Sequence, residues 1–416
     1  MDIFETLESN VRSYCRGWPA TFDRASGSRL YDEDGRAYLD FFAGAGALNY
    51  GHNNPVLKRA LIAYLERDGV TQGLDMKTAA KRDFLWTLRD LVLEPRGLRY
   101  KVMFPGPGGA NAVEAALKLA RTVTGRSLVV GFTNAFHGMT LGALSVTGNA
   151  AKRDAAGVPL QHTTLIPYDG YVDGRIPDFA LLERLLTDSG SGLDLPAAVI
   201  VETVQGEGGL TPARIEWLRG LARLCERHAI LLIVDDVQMG CGRTGPFFSF
   251  EPAAVQPDIV CLSKSIGGYG LPLALTLVKP ELDVWEPGRH NGTFRGVNPA
   301  FVASAEALRT YWRDDELEKS TLAKGEHVAR VLTEVAQAHP EIPMKVKGRG
   351  LARGLALPSG QLARRVCRGA FERGLLVETS GPDGEVVKLM PPLTVTRDEL
   401  DQGLALLTES VEGALG

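Results

Sequence analysis

Ile259-Val-Cys-Leu-Ser-Lys-Ser-Ile-Gly-Gly-Tyr-Gly270 sets a lysine, Lys264, where an apolar strand meets a glycine-rich turn. Upstream, Ile230-Leu-Leu-Ile-Val-Asp-Asp236 is a second apolar run, and it ends in an acid, Asp235. Continuous rather than alternating apolar runs mark strands covered on both faces, as in a parallel sheet. Further runs stand at Ser127-Leu-Val-Val-Gly-Phe132, Ala198-Val-Ile-Val-Glu202 and Leu273–Val278, with a short strand at Val102-Met-Phe104. Helical stretches such as Asn111–Thr122 and Pro212–His228 separate several of them. The alternation predicts an α/β fold around a large, mainly parallel sheet.

Outward from this core the pattern changes. Short strand-like runs (Arg29-Leu-Tyr31, Ala37-Tyr-Leu-Asp40) and a small-residue stretch from Phe41 lead to two helical segments, Pro55–Asp68 and Thr78–Leu93. Beyond about residue 300 come long helices, Ala300–Trp312 and Asp315–Ala338. Short strands near Val346, Gly354–Leu357 and Val386–Leu389 follow, then a last helix from Arg397. The expected organisation is a large domain over 56–300 and a smaller α+β domain over 301–416, with residues 1–55 packing against the smaller one. No internal repeat or low-complexity tract interrupts it.

Composition narrows the function classes. The chain has 416 residues, 44% hydrophobic and 23% charged, as expected of a soluble globular enzyme. Net charge is −4, from 50 acids against 46 bases, and the basic residues are dispersed. That leaves no electrostatic footprint for nucleic acid or an anionic membrane. No apolar run approaches the ~20 residues of a spanning helix. The start, Met1-Asp-Ile-Phe-Glu-Thr-Leu-Glu8, is acidic and lacks a signal-peptide core, so a cytoplasmic location is expected. Five cysteines without a C-x-x-C pair read as small buried hydrophobes rather than a disulfide frame, and seven scattered histidines predict no metal site.

The chemistry is carried at strand ends, where open α/β sheets bind their ligands. Taken alone, a Ser-Lys-Ser after a strand is more often a solvated loop. A lysine that forms an imine must be partly desolvated, and an acid that protonates a pyridine must be held rigidly. Lys264 with Asp235 therefore points to pyridoxal 5′-phosphate (PLP) chemistry. Asp235-Asp-Val-Gln238 offers an acid for the ring nitrogen, Val237 for a ring face and the Gln238 amide for the phenolic oxygen. Gly106-Pro-Gly-Gly-Ala110 runs into a helix, either as an ordinary tight turn or as a phosphate cradle of backbone amides from Gly108, Gly109 and Ala110. Phe136, followed by His137, could stack on a planar cofactor, or be a core Phe beside a surface His. Glu202 and Glu207 bracket Thr-Val-Gln-Gly206, where they could orient cofactor or substrate, hold a cation, or lie in a solvated loop.

Four stretches in this order, Glu202-Thr-Val-Gln-Gly-Glu-Gly-Gly209, Val234-Asp-Asp-Val-Gln-Met-Gly-Cys-Gly-Arg-Thr-Gly245, Pro257–Gly268 and Gly292-Thr-Phe-Arg-Gly296, resemble the class III (ω-amino) aminotransferases of fold type I. Asp40–Pro55, Phe136–Asn149 and Glu286–Gly296 are similar to the diaminobutyrate–2-oxoglutarate branch of that family, which serves ectoine biosynthesis. The resemblance implies Lys264 as the Schiff-base lysine and proton shuttle, Asp235 at the pyridinium, Gln238 at the phenolic oxygen, and Phe136 and Val237 about the ring. His137 and Glu202 join the cofactor-binding set. Thr293 would reach the phosphate of a neighbouring subunit, which implies a homodimer with shared active sites and leaves pairing into tetramers open.

Glu207 sits where glutamate-gated relatives carry an acid that pairs with an arginine; here the partner position is Lys388, a point charge rather than a fork. The implied substrates are small amino and oxo acids. Glutamate would give its amine to C4 of aspartate 4-semialdehyde, yielding L-2,4-diaminobutyrate by ping-pong kinetics. The phosphate turn departs from the family in having Gly108 and Ala110 where hydroxyl residues are usual. That departure and Lys388 keep a second reading open: elimination, replacement or carbon–carbon bond formation at the γ-carbon of a C4 amino acid. A non-catalytic paralogue is a third reading, and retention of Lys264, Asp235 and Gln238 argues against it.

Overall fold

The structure, a computed structural model, describes residues 2–175 and 179–416. Three N-terminal strands, β1 (Phe22–Ser26), β2 (Arg29–Asp32) and β3 (Ala37–Asp40), form an antiparallel meander. The central strands follow as β4 (Lys101–Met103), β5 (Val129–Phe132), β6 (Thr163–Ile166) and β7 (Ala198–Val201). A two-residue hairpin, β8 (Val204–Gln205) and β9 (Thr211–Pro212), precedes β10 (Leu231–Asp235), β11 (Ile259–Leu262) and β12 (Leu275–Val278). The C-terminal strands are β13 (Lys345–Arg349), β14 (Ala352–Ala356), β15 (Leu375–Leu376), β16 (Glu378–Ser380) and β17 (Val386–Leu389).

The large sheet has the order β4-β12-β11-β10-β7-β5-β6. All neighbours from β11 to β6 are parallel, and β12 alone runs against its neighbours β11 and β4. The chain steps from β5 to β6 on one side and then returns to β7 on the other, so β5 is the switch strand. A crevice opens beyond the carboxyl ends of strands at such a point. Helices cover both faces: Gly109–Thr124 lies over β10 to β12, and Ile215–Arg227 packs behind β10. Trp217 of the second helix is 1% exposed and sets its ring 5.1 Å from those of Phe132 and Tyr168, closing the core beneath the end of β5.

The chain ends meet in one place. β15 adds in parallel to β3, pairing Leu375 with Leu39, while β13-β14-β17-β16 form a separate antiparallel sheet. The turn after β3 is unusual: Ala43, Gly44, Ala45 and Gly46 all have positive φ, at 48°, 60°, 55° and 85°. For the two alanines this left-handed geometry costs on the order of 1–2 kcal/mol each. Ser265 offsets part of that cost, its hydroxyl donating to the Gly46 carbonyl at 2.8 Å and accepting from the Asn49 amide at 3.2 Å.

Several elements escaped the sequence pattern, three of them for a legible physical reason. β6 is a half-buried edge strand with two threonines, so it shows no continuous apolar run. Helix Gly360–Glu372 buries Leu362, Ala363, Val366 and Ala370, but arginines crowd its other face and blur the period. Helix Ala180–Thr187 has one buried residue, Leu182. Cysteine burial also needs correcting: Cys225, Cys241 and Cys261 are buried, whereas Cys15 is exposed in the short turn Tyr14–Gly17 and Cys367 is partly covered. Among the described residues no helix is long and apolar enough to cross a membrane.

Gly403, in the last helix Arg397–Leu415, leaves room for the fully buried Phe41 ring; a β-carbon there would collide with it. Gly403→Ala should lower stability by about 1–3 kcal/mol. The urea unfolding midpoint checks this; an unchanged midpoint would show that Phe41 is not tightly seated.

Candidate active site

Four loops at the carboxyl edge of the large sheet converge with the start of helix Gly109–Thr124 around a cavity of about 180 Å³. Asp235 ends β10, Glu202 follows β7, Lys264 follows β11, and Phe136 and His137 lie in the loop after β5. These residues line the cavity with Gly109, Ala110, Glu207, Val237 and Gln238, and with Gly138 and Met239, which the sequence reading did not single out. Gly108, Lys388 and Thr293 do not line it. Gly108 is the helix cap, Lys388 lies behind Glu207, and Thr293 is exposed in the turn Thr293–Gly296.

Asp235 is held from two sides. His137 Nδ1 lies 2.7 Å from Asp235 Oδ2, and the Val237 amide donates to Oδ1 at 3.1 Å. His137 is fully enclosed rather than a surface residue. Burial pulls its pKa down, but the hydrogen bond and charge of Asp235, aided by Glu202, win and raise it above the ordinary value. The imidazolium so favoured is a fixed counter-charge to the carboxylate. Glu202 serves structure as much as chemistry: its carboxylate accepts from the Phe136 amide at 2.9 Å and the Gly206 amide at 3.3 Å. Burial, against the pull of His137, lifts its pKa to about 7. Behind them Asp236 accepts from the Ser249 amide at 3.0 Å and is raised by burial to about 7.

Lys264 has a φ of 55° and donates to the Ala45 carbonyl at 2.9 Å. Burial lowers its pKa, opposed by the charge of Glu207, so the neutral amine is more accessible than in water. Gln238 Nε2 shares the Ala45 carbonyl at 3.1 Å and reaches Glu207 at 3.3 Å, while its Oε1 is buried without a partner. Ala45 lies within the Asp40–Pro55 stretch but nothing in it singles this residue out, because a backbone oxygen carries the contact.

Lys388 joins two acids. Its ammonium, 0% exposed, donates to Glu207 Oε1 at 2.6 Å. Glu378 Oε1 stands 2.9 Å away without the alignment of a hydrogen bond. Burial raises both acids, but the closer contact with Lys388 overturns this for Glu207 and holds its pKa well down. Glu378 gets the weaker share and stays raised. Sequence reasoning missed Glu378 because only strand register, Glu378 opposite Lys388 across β16 and β17, puts it there.

The phosphate turn is partly spoken for. The Gly108 amide donates to Asn111 Oδ1 at 3.0 Å, so the helix is capped from within. The amides of Gly109 and Ala110 stand in the first turn, with no preceding carbonyl to bond. Gly109 cannot carry a side chain: a β-carbon there would stand 2.7 Å from Val237 Cγ1.

Comparison with known proteins places this geometry. The ornithine aminotransferase of Toxoplasma gondii ME49 matches with a TM-score of 0.85 at 26% identity, over 99% of this chain and 93% of that one. A second structure of that enzyme, 27% identical with the same TM-score, records partial occupancy of PLP at its active site. The architecture is that of a fold type I transferase. Residues 14–411 match the family described as Aminotransferase class-III. The chain belongs to the class-III aminotransferase family. It is 66% identical over 412 residues to a diaminobutyrate–2-oxoglutarate transaminase of Streptomyces avermitilis, covering 99% of this chain and 97% of the relative. Relatives with the same name from Nocardia farcinica (68% identity; 99% and 94% covered) and Virgibacillus pantothenticus (56%; 100% of both) agree along the chain.

The raised pKa of Glu202 yields a pH prediction. The folded state holds this proton more tightly than the unfolded chain does. Its contribution is therefore complete below about 4.3, the ordinary glutamate value, and is lost as pH rises through about 7. The stability cost of Glu202→Gln in the cofactor-free protein should shrink by roughly 2 kcal/mol between pH 5.5 and 8.5. Urea titrations at both pH values measure it, and a cost independent of pH would contradict the buried, protonated acid.

Proposed function

We propose that the protein transfers an amino group between glutamate/2-oxoglutarate and C4 of aspartate 4-semialdehyde/L-2,4-diaminobutyrate, with PLP as cofactor. The observation that carries the reading is the full-length identity, at 56–68%, to relatives that bear the name of that activity. The same names denote net transfer, so the alternative of γ-elimination, γ-replacement or carbon–carbon bond formation gains no support.

The residues present fit the cofactor. The cavity offers a buried acceptor without a partner at Gln238 Oε1, free first-turn amides at Gly109 and Ala110, and a surface kept clear by the missing side chain of Gly109. Asp235 would face the ring nitrogen, Gln238 the phenolic oxygen, Phe136 and Val237 the ring faces, and the two amides the phosphate. When bound, PLP supplies an aldehyde carbon for the amine and a ring that withdraws electrons as a proton leaves the substrate carbon. Lys264 is the base at that carbon, its amine kept available by burial. His137 orients Asp235 through their 2.7 Å contact, and Glu202 fixes the backbone of Phe136.

We read residues 56–300 as the cofactor-binding domain, with 1–55 packing against 301–416; the pairing of β3 with β15 supports this. We also propose a homodimer with shared sites, in the cytoplasm; Thr293, exposed in the single chain, would be free to meet a second copy.

Holoenzyme given diaminobutyrate and 2-oxoglutarate should yield glutamate and aspartate semialdehyde, identified by mass. Lys264→Ala should lose at least about 10³-fold in rate, the upper share of what a base and nucleophile contribute together. Absence of glutamate from the wild-type reaction would refute the assignment.

A further inference from the structure

Lys388 is the cation that a gated site would offer to a substrate carboxylate, yet it is fully enclosed between Glu207 and Glu378. An incoming carboxylate meets acids before it meets that lysine. Lys264 is committed to chemistry. A carboxylate held during the reaction therefore needs another positive charge.

A second cavity, about 560 Å³, adjoins the first and shares Phe136 and Glu207 with it. Its walls are the loop after β5, the short helix Ala150–Asp154 and the turn between β16 and β17. Lys152, on that helix, sets its ammonium 4.1 Å from the centre of the Phe136 ring. Glu207 and Asp383 line the same cavity, but among the described residues neither forms an ion pair with Lys152, whose charge helps hold the pKa of Glu207 down. Ser380 lines the same cavity, and its hydroxyl is buried without a hydrogen-bond partner. A buried hydroxyl left unpaired is costly unless something enters to meet it. A cation held only by a ring face, in a cavity that an idle hydroxyl also lines, suits a carboxylate.

We propose that Lys152, assisted by Ser380, anchors the substrate carboxylate remote from the reacting amine. The two substrates put it in the same place. Three carbon–carbon bonds separate the amine-bearing carbon of glutamate from its side-chain carboxylate. Three also separate the C4 amine carbon of diaminobutyrate from its α-carboxylate. One anchor thus serves both halves of the exchange. This assignment rests on the substrates proposed above.

The test uses glutarate, a dicarboxylate with no amine, titrated calorimetrically into PLP-loaded protein, and butyrate, which carries only the remote carboxylate. Lys152→Ala should weaken glutarate and butyrate alike, each roughly tenfold, and Lys152→Arg should retain most of the affinity for both. In turnover, Lys152→Ala should raise KM for glutamate and diaminobutyrate with kcat near wild type, which a merely structural role beside Phe136 would not do. Glutarate affinity unchanged in Lys152→Ala, no glutarate binding by the wild type, or a loss confined to kcat each overturns the anchor. Wild-type protein that binds glutarate through Lys152 but transfers no amine would refute the transaminase reading and leave the anchor standing.

Discussion

A buried contact between His137 and Asp235, 2.7 Å long, is the constraint around which this edge of the molecule is organised. A carboxylate at the end of a central strand, walled off from water, cannot keep its charge without a partner of opposite sign. His137 supplies it from the loop after β5, and Glu202 from the loop after β7 biases the imidazole toward its charged form. Two acids then share one base, and burial resolves the excess by leaving a proton on Glu202. The same Glu202 grips the amides of Phe136 and Gly206, so the electrostatics of the cluster and the path of two loops are one problem with one solution.

A second cluster solves a similar problem differently. Lys388 is enclosed between two carboxylates, and distance decides between them: the pKa of Glu207 is held well down and that of Glu378 stays raised by burial. Its members come from the hairpin region after β7 and from β16 and β17, so it ties the small sheet to the large one. The left-handed turn after β3 closes the remaining side, presenting the Ala45 carbonyl to both Lys264 and Gln238. Arg243, fully buried, braces this turn from behind through Asn49 and the carbonyls of Leu351 and Pro391.

What the sequence disclosed and withheld follows from how each contact is made. The strands of the large sheet were legible because burial on both faces writes itself as an unbroken apolar run; β6, open on one edge and rich in threonine, has no such signature. Lys264, Asp235 and Gln238 were legible because strand ends and glycine turns frame them. Glu378 was not, since its place depends on register between strands. Nor was Ala45, whose contribution is a carbonyl, nor the internal cap by which Asn111 occupies the Gly108 amide. Thr293 marks a different boundary: its assignment concerns a second copy of the chain, and a single chain leaves it on the surface.

The turn Ala43–Gly46 has a consequence for how such a pocket can change over generations. Its contact with the working lysine is a main-chain oxygen, which no codon replacement removes. The backbone shape that aims this oxygen admits glycine and, with strain, alanine, but would reject branched or bulky residues. That wall cannot be retuned one side chain at a time. A change of substrate range would have to be written elsewhere, in side chains such as Met239 and those bordering the neighbouring cavity.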